Sequence, residues 1–261
     1  MVDWLALVIG NTRWHWAWFQ KSALKQVWHT SHLINHSISD RSLRSMWAEQ
    51  APPQILHLPV ESMKIWAISV VPSQTQCLNH LTTIQWIERF PLRNVYSTMG
   101  LDRVTTLWGA GQHYNWPVLV IDAGTALTFT AGNAGAFAGG AISLGMRSHL
   151  AALHHSTAAL PSIEPPADLP YRWADNTASA IQSGVIYTML ASIQQFIHSW
   201  QQQYPRTTIL FTGGDGQYLY RLYQIQHQIQ QNQVPINRTW FDPNLMFWGI
   251  AAYRSEETRE L

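Results

Sequence analysis

Two stretches of this chain share one pattern: an apolar run, a turn containing glycine and threonine, and a second strand-like run. They are LALVIGNTRWHWAWF, from Leu5 to Phe19, and VLVIDAGTALTFT, from Val118 to Thr130. Apolar runs that flank a glycine turn predict paired strands. The recurrence of the pattern in each half of the chain predicts two similar folding units.

Strands and helices alternate after each of these pairs. Apolar strand-like runs recur at residues 65–72 and 207–212, and a long amphipathic helix is expected from about Thr177 to Tyr204. Hairpin strands followed by alternating strands and helices are typical of an α/β fold. We therefore predict two tandem α/β domains, residues 1–114 and 115–261.

Composition narrows the class of protein. Of the 261 residues, 46% are hydrophobic and 12% are charged, which predicts a folded chain. The net charge is +1 without a basic run, so nucleic acid is not expected as a partner. A single cysteine, Cys77, indicates a reducing compartment. With neither a signal peptide nor a membrane span predicted, we expect a cytoplasmic protein without a membrane partner.

The turn at Gly10, Asn11 and Thr12 has two interpretations. Glycine permits close approach of a ligand to the backbone, and successive amides with the threonine hydroxyl can bind phosphate. Asparagine and glycine are also common in ordinary hairpin turns. Taken alone, the turn favours the ordinary hairpin.

The second turn carries an acid, Asp122, at the carboxyl end of an apolar strand. A carboxylate there is costly unless it meets a cation or hydrogen-bond donors, and ligands of α/β proteins bind at such strand ends. We expect Asp122 to hold a cation and Thr125 to contact phosphate. The alternative is a carboxylate that caps local amides.

The stretch Gly100 to Arg103, GLDR, places a carboxylate and a guanidinium side by side. Asp102 could take a proton from a substrate hydroxyl, and Arg103 could hold a carboxylate through two hydrogen bonds. The alternative is a helix N-terminus with Asp102 as cap and Arg103 as a surface charge, which this stretch alone favours.

Together these pieces resemble the type III pantothenate kinases, which belong to the acetate and sugar kinase, Hsc70 and actin superfamily. The shared landmarks occur in the family's order: GNT at 10–12, SVVP at 69–72, GLDR at 100–103, DAGTALT at 122–128, GGAISLG at 139–145, NTASAIQSG at 176–184 and FTGGD at 211–215. The chain also resembles regulators of the Bvg accessory factor type, a non-catalytic assignment attached to the same family.

The resemblance implies two ribonuclease H-like domains with a nucleotide cleft between them, and a homodimer. It implies ATP-dependent phosphorylation of pantothenate to 4'-phosphopantothenate, the first step of coenzyme A biosynthesis, with Mg²⁺ and a monovalent cation, K⁺ or NH₄⁺. Asp102 would be the general base and Asp122 would hold the monovalent cation. The residues expected to bind the substrate are Tyr96, Gly100, Leu101, Asp102, Arg103 and Thr177. Those expected to bind ATP are Val8, Ile9, Gly10, Asn11, Thr12, Arg13, Trp14, His15 and Thr125.

Two departures from the family pattern stand out. Val8 occupies the place of an acid in the family's Asp-x-Gly-Asn-Thr motif, and the Ser-Pro-Gly loop reads Ser143-Leu144-Gly145. Val8 leaves three possibilities: magnesium held only through ATP and water, a substitute acid, or binding without turnover. The leading hypothesis is the kinase, because Asp102, Arg103 and Asp122 are present. The alternatives are a catalytically inactive, nucleotide-binding regulator and a kinase for another small alcohol.

Overall fold

The computed structural model describes residues 3–32, 43, 45, 47, 50–56, 63–78, 81–229 and 238–258. Contacts divide the chain into two units, Met1–Gln112 with Met246–Leu261, and His113–Leu245. The predicted domains assign residues 246–261 to the second half, whereas the contacts assign them to the first unit. No helix in the described part of the chain is long and apolar enough to span a membrane.

Ten strands form two five-stranded sheets, one in each unit. They are β1 (Asp3–Ile9), β2 (Arg13–Gln20), β3 (Ala23–Ser31), β4 (Lys64–Ser69), β5 (Ile84–Trp86), β6 (Val118–Ala123), β7 (Ala126–Asn133), β8 (Ala136–Leu144), β9 (Thr208–Thr212) and β10 (Thr239–Phe241).

The helices with described bounds are α1 (Pro53–Leu56), α2 (Pro72–Gln76), α3 (Leu101–Tyr114), α4 (Met146–Ser156), α5 (Thr177–Gln203), α6 (Gly216–Ile229) and α7 (Leu245–Glu257). The long helix predicted from about Thr177 to Tyr204 is confirmed as α5. A helix N-terminus also lies at the GLDR stretch, where α3 begins at Leu101.

The two sheets have the same topology, so the predicted repeat and the α/β class are confirmed. The first sheet has the order β3-β2-β1-β4-β5 and the second β8-β7-β6-β9-β10. In each, three antiparallel strands form a meander, a fourth strand pairs in parallel with the first of them, and a fifth pairs in parallel with the fourth. A position in one sheet therefore has a topological counterpart in the other.

A tryptophan cluster fills the core of the first unit. Trp16 lies parallel to Trp28 at a ring separation of 6.1 Å and edge-on to Trp47 at 5.0 Å. The indole nitrogens of Trp14 and Trp16 donate to Gln74 and Thr30. These rings pack against Leu5, Leu7 and Ile9, on one face of β1. Alternate tryptophans of β2 therefore pack within the unit.

In the second unit, α5 covers one face of the sheet. Its apolar stripe runs through Ile181, Val185, Met189 and Ile193, as the periodicity predicts, and it packs with alternate residues of β6 such as Ile121. Because Ile121 points toward α5, its neighbour Asp122 points to the opposite face. That alternation directs the carboxylate away from the core.

Candidate functional site

The turn between β1 and β2 is closed by a hydrogen bond from the Gly10 amide to the Arg13 carbonyl, at 3.1 Å. Asn11, Thr12 and Arg13 are exposed. His32 Nε2 donates to the Gly10 carbonyl oxygen at 2.7 Å. Polar groups thus surround a turn whose exposed residues can reach a ligand.

Two of the predicted ATP-binding residues, Ile9 and Trp14, have side chains buried in the tryptophan-rich core. Their part in nucleotide binding is therefore limited to the backbone. Val8 is also buried but lies on the opposite face of β1, where its cross-strand partner is His15.

Two histidine rings extend the row that begins at Val8. His15 pairs with Val8 on one side and with His29 of β3 on the other, and the two imidazole rings meet edge to face at 4.8 Å. Burial, followed by the neighbouring His29 and Arg13, lowers the pKa of His15 to about 4. Burial and Arg13 also lower the pKa of His29. Both rings are therefore neutral at pH 7.

The row of side chains at Val8 offers no oxygen ligand to Mg²⁺. Magnesium prefers oxygen ligands, usually one or two carboxylates. The side chains that flank Val8 across the sheet are His15 and Ile68, neither of which carries an oxygen. Asp3 lies at the other end of β1, about 16 Å away at the usual rise per strand residue.

The counterpart row in the second unit is rich in oxygen. Asp122 stands between Thr128 of β7 and Thr212 of β9. Thr128 Oγ1 is buried and has no hydrogen-bond partner among the described residues. A carboxylate between two hydroxyl side chains, one of them unsatisfied, fits a hard cation such as K⁺.

The glycine turn that follows β9 packs against this carboxylate. A Cβ atom at Gly213 would lie 2.3 Å from Asp122 Oδ1 and 2.4 Å from the Ala123 carbonyl oxygen, and the residue has a φ of +88°. The amide of Asp215 donates to the same carbonyl at 2.9 Å. Gly213 is therefore required both by its backbone conformation and by the position of Asp122.

The turn carrying Thr125 is fastened to the start of α4. The Thr125 carbonyl accepts hydrogen bonds from the Gly145 amide at 2.9 Å and from Ser148 Oγ at 2.7 Å. A Cβ at Gly145 would lie 1.9 Å from the Gly124 carbonyl oxygen. In the Ser143-Leu144-Gly145 loop, this packing thus requires a glycine at residue 145. Leu144, which stands where the family has proline, is exposed.

Asp102 and Arg103 lie in the first turn of α3. Asp102 Oδ1 accepts a hydrogen bond from the Arg103 amide at 2.8 Å, and a Cβ at Gly100 would approach that same oxygen to 2.5 Å. Arg103 is only 8% exposed, and its Nη1 donates to the Tyr96 hydroxyl at 2.9 Å. The alternative with Arg103 as a surface charge is therefore wrong. The structure brings four predicted substrate residues together, Tyr96, Gly100, Asp102 and Arg103.

Thr177 begins α5, and its neighbour Asn176 caps the helix by accepting from the Ser179 amide at 3.0 Å. Thr177 lines a largely apolar groove of about 570 Å³ with residues of α4 and α5, among them His149, Leu153 and Ile181. This groove lies wholly in the second unit, and Thr177 is exposed at its end.

Several residues of these sites were not predicted from the sequence. They are Thr128 and Thr212, which flank Asp122, and His29 and His32, which surround the first turn. The strand register places both threonines beside Asp122: Thr128 is on the next strand, β7, whereas Thr212 is on β9, three strands later in the chain.

Comparison with known proteins decides the family. The sequence model of "Type III pantothenate kinase" matches residues 4–199. A type III pantothenate kinase of a Nostoc species is 37% identical over 261 residues, covering 95% of this chain and 93% of that relative. This chain belongs to the type III pantothenate kinase family. A second relative of that name, from Synechococcus elongatus, is 41% identical over 225 residues. The alignment covers 84% of this chain and 87% of that relative.

Solved structures support the fold of this family member. A Baf family transcriptional activator from Campylobacter jejuni aligns with a TM-score of 0.65 at 18% identity, covering 98% of this chain and 99% of its own. The activator of 2-hydroxyisocaproyl-CoA dehydratase from Clostridium difficile, with bound ADPNP, aligns with a TM-score of 0.53 at 11% identity, covering 99% and 96%. At these identities the likeness concerns the fold alone.

Proposed function

We propose that this chain transfers the γ-phosphoryl group of ATP to pantothenate, giving 4'-phosphopantothenate in the first step of coenzyme A biosynthesis, with Asp102 as the general base. The observation that supports this role is the fixed carboxylate of Asp102, held by the Arg103 amide beside the buried Arg103–Tyr96 pair. The regulatory alternative is not favoured, because the relatives of the matched family are named as kinases.

In the proposed reaction, Asp102 takes the proton of the primary hydroxyl of pantothenate. The freed oxygen attacks the γ-phosphorus while the bond to the β-γ bridging oxygen breaks, and ADP leaves. Arg103 presents a planar guanidinium whose N–H donors match a carboxylate, and we assign it to the pantothenate carboxylate. Leu101 completes that turn, and Thr177 contacts the substrate.

The remaining assignments rest on the family resemblance and on the local geometry. Asp122 holds the monovalent cation, with Thr128 and Thr212 beside it, and Thr125 contacts ATP. The residues from Val8 to His15 bind the ATP phosphates. We further propose that the protein acts as a homodimer in the cytoplasm, where its single, buried cysteine, Cys77, remains reduced.

A coupled assay of ADP release tests the function, with pantothenate, ATP, magnesium and potassium present. Native protein is expected to release ADP only when pantothenate is added. Asp102→Asn keeps the size of the side chain and removes the base, so turnover should fall by about 100-fold or more. Calorimetric ATP binding should change little in this variant.

The control is Asp168→Asn, which removes an exposed carboxylate paired with Arg221 in the second unit and should leave the rate unchanged. An active Asp102→Asn protein would exclude Asp102 as the base. Absence of pantothenate-dependent ADP release from folded native protein would exclude the kinase.

A further inference from the structure

The repeated topology supplies an internal comparison for the phosphate-binding turns. In each unit, the residue two positions before the turn glycine sits between two strands, so three side chains form a row on one face of the sheet. In the second unit the row is Thr128, Asp122 and Thr212. In the first it is His15, Val8 and Ile68. All three side chains of the row in the second unit carry oxygen, and none of the three in the first unit does. The two rows therefore differ at every position, not only at residue 8.

Of the three side chains that stand in place of these oxygens, Val8 and Ile68 are apolar and His15 is a hydrogen-bond donor. His15 lies against the turn, with Nε2 3.5 Å from the position that a Cβ at Gly10 would take. Arg13 is two residues earlier on the same strand, hence on the same face, and is exposed. A guanidinium and an imidazole therefore stand beside the turn amides.

Among the described residues, no carboxylate acts on the pKa of His15. The charges that act on its pKa are those of His29 and Arg13, both cationic when charged. His29 Nδ1 is buried and lacks a hydrogen-bond partner in the described part of the chain. An exposed guanidinium beside neutral imidazoles that can donate N–H groups suits an anion rather than a cation.

We propose that this chain binds the ATP phosphates at the first turn directly, through Arg13, His15 and the turn amides, in place of a metal held by a carboxylate at residue 8. The proposal rests on the proposed function in taking ATP as the ligand. His15 acts as an N–H donor to a phosphate oxygen, and its ring is kept in place by the edge-to-face contact with His29. Neutral and cationic donors at this turn make a protein-held cation unnecessary for phosphate binding.

Calorimetry of ATP binding without pantothenate, in Mg²⁺ or in EDTA, tests the proposal on the full-length chain. Native protein is expected to bind ATP in EDTA within about tenfold of its affinity in Mg²⁺. His15→Phe keeps a flat ring but removes the donors, so binding should weaken about 10- to 100-fold in both conditions, the range for a hydrogen bond to a charged group. His15→Gln, which retains an N–H donor, should recover most of that loss.

Val8→Asp makes the complementary test. A carboxylate at this position repels the triphosphate, so binding in EDTA should weaken about tenfold or more, and Mg²⁺ should restore it. Val8→Asn, uncharged and of the same shape as the aspartate variant, should not acquire this magnesium dependence.

Arg13→Gln removes the guanidinium from the proposed site. Its charge control is Lys25→Gln, because Lys25 lies on β3 about 20 Å from Ser31, the residue that pairs with Arg13.

ATP binding that EDTA abolishes in the native protein, with His15→Phe indistinguishable from native, overturns the direct site. If pantothenate-dependent turnover in Mg²⁺ persists in that case, the proposed kinase function stands without it. Native protein that shows neither ATP binding nor turnover in Mg²⁺ contradicts the kinase function and the direct site together.

Discussion

At Gly213 two constraints act on one residue. Its positive φ disfavours any side chain, and the space where a Cβ would lie is occupied by a carboxylate oxygen of Asp122 and the carbonyl of Ala123. The neighbouring Gly214 has nothing within 4 Å of a Cβ position. The two glycines of the sequence motif GGD therefore have different roles, which the motif alone does not distinguish.

Gly213→Ala is expected to lower the free energy of unfolding by about 1–3 kcal/mol, from backbone strain and displacement of Asp122. If Asp122 holds the monovalent cation, the variant should also lose most of its stimulation by potassium over sodium. Urea unfolding and rates in the two salts measure these effects. Gly214→Ala is the matched control and should resemble the native protein. Equal behaviour of the two variants would contradict the crowding at Gly213.

The N-terminus of helix α5 is stabilised by a single capping residue, Asn176. It is the longest helix described, and its N-terminus is capped by Asn176, whose side chain accepts from the Ser179 amide. Its apolar stripe packs on the second sheet, while its first residue, Thr177, is a proposed substrate contact. The cap therefore stabilises the turn from which Thr177 is presented.

Asn176→Ala should destabilise the protein by about 1 kcal/mol through loss of the cap, seen as a lower midpoint of thermal unfolding. Asn176→Ser retains an oxygen that can accept from the same amide and should lie close to the native value. An alanine variant as stable as the native protein would show that this cap contributes nothing measurable.

The strands differ in how clearly the sequence marks them. β1, β6 and β9 were predictable because continuous apolar runs end at glycine turns. β3 was missed because its sequence, ALKQVWHTS, has polar and exposed positions that give no clear alternation. The row His29–His15–Val8 was likewise missed. Its members are far apart in the chain, and only the strand register places them side by side.

For the whole molecule, the buried imidazole at His15 links folding stability to pH. Because the folded pKa of about 4 lies below the ordinary value of 6.5, the unfolded chain binds a proton at a pH where the folded chain does not. Stability should therefore fall as the pH is lowered from 6.5 to 4. The loss from this group is at most about 3.5 kcal/mol, since one pKa unit corresponds to about 1.4 kcal/mol.

Urea unfolding between pH 4 and 7 measures this linkage. His15→Gln should make the profile shallower in that window, with His29 supplying the slope that remains, and His155→Gln, which removes an exposed histidine, is the control. Parallel profiles for native protein and His15→Gln would mean that His15 binds its proton as readily in the folded state as in the unfolded one.

The return of α7 to the first unit affects how the chain folds during synthesis. Trp248 contacts Phe19, Arg254 lies over the ring of Trp4, and Gly249 fits against the Thr105 carbonyl. The ribosome must therefore make the whole of His113–Leu245 before the first unit can close. At about 5–20 residues per second that interval is on the order of ten seconds. During this interval the tryptophan-rich sheet of the first unit lacks α7, whereas all residues of the second unit have already been synthesised. We therefore expect chaperones to act mainly on the amino-terminal part of the chain.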